Sequence, residues 1–254
     1  MIKVCVAGYA GRMGSAVVNA VTASDDMEVV AGVDPFSKEM DFPTFTTIEE
    51  AIAEVSFDVL VDFTAPKIVA DTLAVVLPAG INCVVGTTGM TNETLENLAK
   101  TATNNACLFY APNFTTGAVL MMEFAKACAP YFPEAEVIEF HHCNKKDAPS
   151  GTAVRTAQLI AESRDFVSAA PGAETENEGM EGARGALVNG VPVHSVRTMG
   201  YVASQEVIFG SMGQTLTIRH DSWDTSSYMP GVLLGIRSVI DKSGLIVGLE
   251  NFMA

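Results

Sequence analysis

Two of the chain's four histidines, His141 and His142, are adjacent, and the residues around them have the chemistry to bind a small anion and move a proton. The run reads Glu139-Phe140-His141-His142-Cys143-Asn144-Lys145-Lys146-Asp147-Ala148-Pro149-Ser150-Gly151-Thr152. Imidazole changes protonation state near neutral pH, which suits proton transfer. Lys145 and Lys146 supply positive charge. Pro149 followed by Ser150, Gly151 and Thr152 predicts a turn opening into a helix, whose first N–H groups lack helical acceptors and can receive an anion. A strand-like run over 135–140 leads in, and a helix-like run over 153–162 leads out. A solvated loop with incidental charges would share this polarity. A second motif weighs against so plain a reading.

That motif is Gly8-Tyr9-Ala10-Gly11-Arg12-Met13-Gly14. It follows the apolar run Val4-Cys5-Val6-Ala7 and opens a helical pattern over 12–23. A second apolar run over 29–33 ends in Asp34, about 20 residues beyond the last glycine, where a carboxylate can receive a ribose hydroxyl. Gly8 allows a tight turn, Gly11 lets a pyrophosphate approach the backbone, and Gly14 lets the helix close on the strand. The spacing is one residue off the commonest dinucleotide fingerprint. Its setting of strand, glycines, helix, strand and acid therefore carries the inference.

These sites need a scaffold, and the rest of the chain predicts one. Residues 1 to about 113 alternate strand (3–7, 28–33, 58–63, 81–86, 106–110) with helix (12–23, 47–55, 67–77, 91–103). Thr47 with Glu50 forms a capping box, and Thr91 with Thr94 marks another helix start. Near-continuous apolar strands alternating with helices predict an α/β, Rossmann-like parallel sheet covered on both faces. Ligands bind such sheets at the carboxyl ends of the strands. Three clusters fall there: Phe63-Thr64, then Gly86-Thr87-Thr88-Gly89, then Ala111-Pro112-Asn113-Phe114. The pattern then changes. A Met- and Ala-rich helix over 117–132 precedes the histidine loop, and a polar stretch over 165–184 follows that loop's helix. Runs over 186–197, 200–210 and 214–221, with Asn189-Gly190 as a hairpin turn, predict a mixed or antiparallel second sheet in an α+β domain. A helical pattern over 228–242 predicts a return to the first domain. The expected division is 1–113 with 223–254 for the dinucleotide, and 114–222 as a second domain.

Bulk properties bound the function. A chain of 254 residues, 48% hydrophobic, is ample for one large or two small cores. The net charge of −15 argues against nucleic acid and anionic membranes as partners. Five cysteines without a Cys-x-x-Cys pair read as thiols of a reducing compartment. A strand beginning almost at residue 1 and the lack of a long apolar stretch predict a cytoplasmic protein. No metal is expected, because adjacent histidines are poorly placed to share an ion and two lysines would repel it. His194 and His220 lie on strand-like runs and read as structural, with a reach into the substrate pocket left open for His194.

With both motifs in place, the chain resembles the 4-hydroxy-tetrahydrodipicolinate (dihydrodipicolinate) reductases. The likeness covers essentially its full length and is most specific over Glu139-x-His141-His142-x-x-Lys145-x-Asp147-Ala148-Pro149-Ser150-Gly151-Thr152. Gly8-x-x-Gly11-Arg12-Met13-Gly14, Asp62-Phe63-Thr64, Gly86-Thr87-Thr88-Gly89 and Pro112-Asn113-Phe114 fit in order. The resemblance implies NAD(P)H-dependent reduction of a small cyclic dicarboxylate in diaminopimelate and lysine synthesis. It implies His141 and Lys145 as the proton-transfer pair, and His142, Ser150, Gly151 and Thr152 as holders of substrate carboxylates. It also assigns substrate binding and assembly to 114–222, with a homotetramer built through the second sheet. Asp34 followed by Pro35 favours NADH, because a 2′-phosphate would face a carboxylate with no cation beside it. Arg12 and Lys38 pull toward NADPH, so dual use with a modest NADH preference is expected. Two rival readings, a related small-substrate dehydrogenase and a non-catalytic dinucleotide sensor, account for the glycine loop but leave His141 and Lys145 without a task.

Overall fold

A computed structural model describes residues 1–36, 39–164 and 179–253; Lys38 and most of the polar 165–184 stretch lie outside them. The chain divides into two units, Met1–Thr116 with Thr225–Ala254, and Gly117–Asp224.

The first unit is a parallel sheet laid down strand by helix. Its elements are β1 (Ile2–Ala7), α1 (Arg12–Thr22), β2 (Met27–Val33), β3 (Thr44–Phe45), α2 (Ile48–Glu54), β4 (Val59–Asp62), α3 (Pro66–Val76), β5 (Asn82–Val85), α4 (Asn92–Ala99) and β6 (Cys107–Tyr110). All four residues of β4 and of β6 are buried, as expected of strands covered on both faces. α1 turns Gly14, Val17, Val18 and Val21 inward. The predicted capping box at Thr47 is formed, with Glu50 reaching back to the Thr47 N–H, and the Thr91 hydroxyl caps α4. α4 ends at Ala99, four residues short of the expected end, in a run of turns held by Thr101 and Thr103.

The second unit holds α5 (Thr116–Cys128, its first residue in the first unit), β7 (Glu134–His141), α6 (Gly151–Glu162), β8 (Ala186–Val188), β9 (Val191–Arg197), β10 (Ala203–Ser211) and β11 (Gln214–Ser222). The strand order is β11-β10-β7-β9-β8, and only β7 with β9 runs parallel, so the sheet is mixed. Asn189 and Gly190 both take positive φ (49° and 82°), the geometry of the tight hairpin turn their sequence predicted. One face carries the core, where Val137, Val193, Val207 and Phe209 meet Met121, Ala125, Ala153, Ala157 and Ile160 from α5 and α6. On the other face Ile138, Phe140, Val196 and Ile208 stay half-buried and Arg219 is exposed, its guanidinium 5.1 Å above the Phe140 ring.

The chain closes in the first unit with α7 (Met229–Val239) and β12 (Gly244–Val247). β12 pairs with β6, giving the order β12-β6-β5-β4-β1-β2-β3. The strand order reverses between β1 and β4, so their carboxyl ends flank the crevice where such sheets take ligands. No described helix is long and apolar enough to cross a membrane.

Candidate active site

In the first unit the glycine loop is tightly specified. Gly8 sits at φ +78°, a conformation side chains rarely adopt. A Cβ on Gly14 would lie 2.0 Å from the Gly8 carbonyl oxygen, so α1 packs against the loop at backbone distance. Gly11 is exposed at the start of α1, no side chain caps that start, and no acid occupies the first turn. The helix end therefore keeps the partial positive charge that favours a phosphate. Arg12 is exposed and Met13 half-buried beside it. Tyr9 turns the other way, its ring buried edge-on to Phe42 at 6.0 Å, where it anchors the loop from below. Asp34 is buried at the end of β2, with one oxygen accepting the Ala10 N–H (3.3 Å) and the other the Phe36 N–H (2.9 Å). Its carboxylate thus ties the loop to the strand end. Past it lies a cavity of about 200 Å³ lined by Val33, Pro35, Thr47, Thr64, Ile68 and Asp71 among others.

The three clusters at the strand ends converge. Asp62, wholly buried at the end of β4, accepts the Thr64 hydroxyl (2.8 Å), the Thr64 N–H (3.0 Å) and the Thr87 hydroxyl (2.7 Å) on one oxygen. Burial pushes this carboxyl up from its ordinary range, against the pull of those hydrogen bonds. The Phe63 ring lies where a Gly86 side chain would stand and packs on Phe114 at 5.6 Å. Asn113 accepts the Thr115 N–H and so shapes its own turn; Ala111 is buried, and Thr88 and Pro112 are exposed at the rim.

In the second unit the histidine loop joins β7 to α6. Glu139 and His141 alternate onto one face of β7. The Glu139 carboxyl is wholly buried, yet several groups serve it. Arg197 forks onto both oxygens (2.7 and 2.8 Å), the Ser150 N–H reaches one (3.2 Å), and the Nδ1 of His141 bonds the other. Burial alone would raise its pKa, but hydrogen bonds from His141, Arg197 and Ser195 outweigh burial and hold it down at about 2. An ionised carboxylate only accepts, so Nδ1 carries a proton and Nε2 is the atom left to act. Lys145 is held by Asp147 at 2.8 Å, which lowers the Asp147 pKa. His142 is exposed on the turn that the Lys145 N–H closes onto its carbonyl.

Ser150 serves α6 itself: its hydroxyl caps the Ala153 N–H at 3.2 Å, and its own N–H is taken by Glu139. Gly151 is exposed, with nothing within 4 Å of the point where a side-chain methyl would stand, and Thr152 is half-buried behind it. Of the three expected cradle residues, Gly151 is therefore the exposed one, while Ser150 is buried as the cap of α6. His194 does not reach this face. It bonds Glu136 at 2.8 Å on the opposite side of the sheet, because the register pairs it with Ile138 and not with Glu139.

Glu139, Asp62, Asp147 and Arg197 were not among the expected site residues. Glu139 was findable, since a carboxylate two positions before a histidine on a strand shares its face. Arg197 left no local signal: it lies 58 residues from Glu139, and only the β7–β9 register sets it opposite His141.

Residues 2–114 match the family model described as dihydrodipicolinate reductase, N-terminus, and residues 117–253 the model described as dihydrodipicolinate reductase, C-terminus. The 4-hydroxy-tetrahydrodipicolinate reductase of Listeria welshimeri is 49% identical over 99% of this chain and 100% of its own. That of Streptomyces coelicolor is 48% identical over 99% and 98%. The dipicolinate-bound dihydrodipicolinate reductase of Paenisporosarcina sp. TG-14 superposes with a TM-score of 0.91 at 42% identity, covering 99% of each chain. With both halves matched in order and relatives this similar over their whole length, the chain belongs to the dihydrodipicolinate reductase family.

Proposed function

We propose that the chain reduces the dehydrated form of 4-hydroxy-2,3,4,5-tetrahydrodipicolinate to 2,3,4,5-tetrahydrodipicolinate with NAD(P)H, a step of diaminopimelate and lysine synthesis. The observation that carries this reading is the His141 ring, fixed by buried Glu139 with Nε2 left to act, in one loop with Lys145 and the exposed start of α6. The glycine loop fits a dinucleotide: its uncapped helix start suits a pyrophosphate, and Asp34 keeps acceptor capacity for a ribose hydroxyl. Gly8, Ala10, Gly11, Arg12 and Met13 would hold the phosphates. The cavity beyond Pro35 would take the adenine. Phe63, Thr64, Gly86, Thr87, Thr88 and the 111–114 turn would border the nicotinamide half.

When bound, the dihydronicotinamide supplies a hydride. This chain's residues do the rest. His142, Gly151 and Thr152 hold carboxylates, with α6 contributing N–H donors and so limiting the need for net positive charge. His141, in its imidazolium form, gives its Nε2 proton to the electron-rich atom that hydride addition leaves and keeps its Nδ1 proton on Glu139, and Lys145 supports it with charge. Freshly generated cyclic substrate, with NADH and NADPH oxidation followed separately, tests the reaction. A protein that binds the dinucleotide without oxidising it in that mixture would be a sensor and not this enzyme.

Cofactor choice follows from the strand end. Both cofactors are expected to work, NADH modestly better. Arg12→Ala should weaken NADPH more than NADH. Asp34→Ala should weaken NADH more, with some loss for both because the Ala10 tether goes as well. A wild-type preference for NADPH of about a hundredfold, or about 2.7 kcal/mol, overturns this reading.

The cradle is tested at Gly151. Open space surrounds the position, so Gly151→Val should fold normally; β-branching costs well under about 1 kcal/mol in a helix. It should nonetheless weaken pyridine-2,6-dicarboxylate binding in calorimetry and raise the substrate KM, with cofactor affinity unchanged. Unaltered affinity for that flat dicarboxylate removes Gly151 from the site.

The half-buried face of the second sheet suits pairing with copies of itself, and a homotetramer is expected. Sedimentation giving a clean monomer at working concentration would refute it.

A further inference from the structure

Glu139 and Arg197 sit at the junction of three parts of the proposed substrate site. From the carboxylate of Glu139, one arm reaches the Nδ1 of His141 and a second the Ser150 N–H that begins α6. The third arm runs through Arg197. Its Nη2 bonds Glu139 at 2.7 Å and the Asp147 carbonyl at 2.8 Å, and the Asp147 carboxylate in turn holds the Lys145 ammonium at 2.8 Å. Arg197 also donates from Nη1 to Glu139 at 2.8 Å and to the Val196 carbonyl at 2.9 Å, so its fork is fixed in plane. The pair is not needed to join the strands, since the β7–β9 ladder already does so.

We propose that the pair of buried Glu139 with Arg197 is the positioning hub of the site, setting the tautomer and aim of His141, the start of the α6 anion cradle and, through Asp147, the reach of Lys145. Both are positioning residues, and neither is catalytic. A carboxylate on Nδ1 forces the neutral ring to keep its proton there, leaving Nε2 as the working atom. An isolated imidazole in water prefers no such arrangement strongly enough to hold one aim. A guanidinium fork can grip a carboxylate with two bonds and still give a third to a carbonyl, which an ammonium cannot do in one plane. A carboxylate taken wholly out of water is costly to bury even beside a cation, and a pair that only stabilised the fold could be replaced by apolar side chains. The hub's kinetic consequences rest on the proposed reaction, whereas the tautomer it imposes does not.

The test uses the full-length protein. In the first arm, nitrogen-15 NMR of the histidine side chains of wild type, at a pH where the ring is neutral, should show His141 protonated at Nδ1. Protonation at Nε2 would overturn the hub. The second arm measures kinetics. Glu139→Leu leaves the part-buried Arg197 without its carboxylate, so the double variant Glu139→Leu with Arg197→Met is made beside it to restore apolar packing. In whichever of the two folds, kcat should fall by about tenfold or more, as when the orienting partner of a catalytic histidine is lost. The cofactor Kd should stay unchanged, and the His141 ring should lose its fixed tautomer. Arg197→Lys should keep part of the activity that Glu139→Leu loses. A folded variant with kcat within about twofold of wild type and an unchanged tautomer overturns the proposal. Wild type that fails to turn over the cyclic substrate contradicts the reaction instead, and the ring tautomer still decides the hub.

Discussion

His141→Gln is expected to lose turnover by about a hundredfold or more while keeping substrate and cofactor affinity near wild type, because removal of a positioned general acid acts on the transition state. Glutamine is a conservative choice here. Its amide can still donate to Glu139, so the buried carboxylate is not stranded and the loop keeps its anchor. What it cannot do is release a proton. Lys145→Ala should lower turnover and also raise the substrate KM, since the ammonium contributes charge as well. It also leaves Asp147 without its partner, which at an exposed position has little effect on stability. Steady-state kinetics with both variants, and calorimetry with pyridine-2,6-dicarboxylate, separate the two roles. Near wild-type turnover in both would show that neither residue handles the proton.

Gly14→Ala should destabilise the first unit and abolish measurable dinucleotide binding. In most helices this exchange is stabilising, since alanine is favoured over glycine by about 1 kcal/mol. Here the added methyl would meet the Gly8 carbonyl oxygen at 2.0 Å, the Gly8 carbonyl carbon at 2.5 Å and the Tyr9 Cα at 2.7 Å. All three are backbone atoms of the loop that would hold the phosphates. Gly8 is itself held by its N–H to the Val33 carbonyl at 2.8 Å, so the loop cannot step aside without leaving β2. The overpacking should cost about 1–3 kcal/mol or more, which reverses the usual sign. Thermal unfolding and titration with NADH check both halves. A variant as stable as wild type, or one that binds NADH normally, would show that α1 can move away from β1.

The residues that could be read directly were those whose pattern is local. Helical and strand periodicity, the Thr47–Glu50 box and the Asn189-Gly190 turn each depend on neighbours within a few positions; the box and the turn formed where expected, and the elements formed with ends shifted by up to four residues. The glycine loop and the histidine segment were visible for the same reason. Of the two strands without forewarning, β3 has two residues, too few for any period to register, and β12, although as long as β4, is an edge strand with no fully buried residue. β3 exists because β2 offers it an edge to pair with, and β12 because β6 does.

Which polar groups meet was settled only in the folded sheets. Asp62 meets Thr64 two residues along its own chain, but it reaches Thr87 only because β4 and β5 are adjacent. Arg197 faces Glu139 only because β7 and β9 run parallel in one register; a slip of one residue would turn it to the opposite face, where His194 now meets Glu136. The elements, the glycine turn and the histidine segment were legible in the order of the residues, because local sterics and periodicity set them. The hydrogen-bonded network that orients those side chains was not, because strand register is a property of the folded whole.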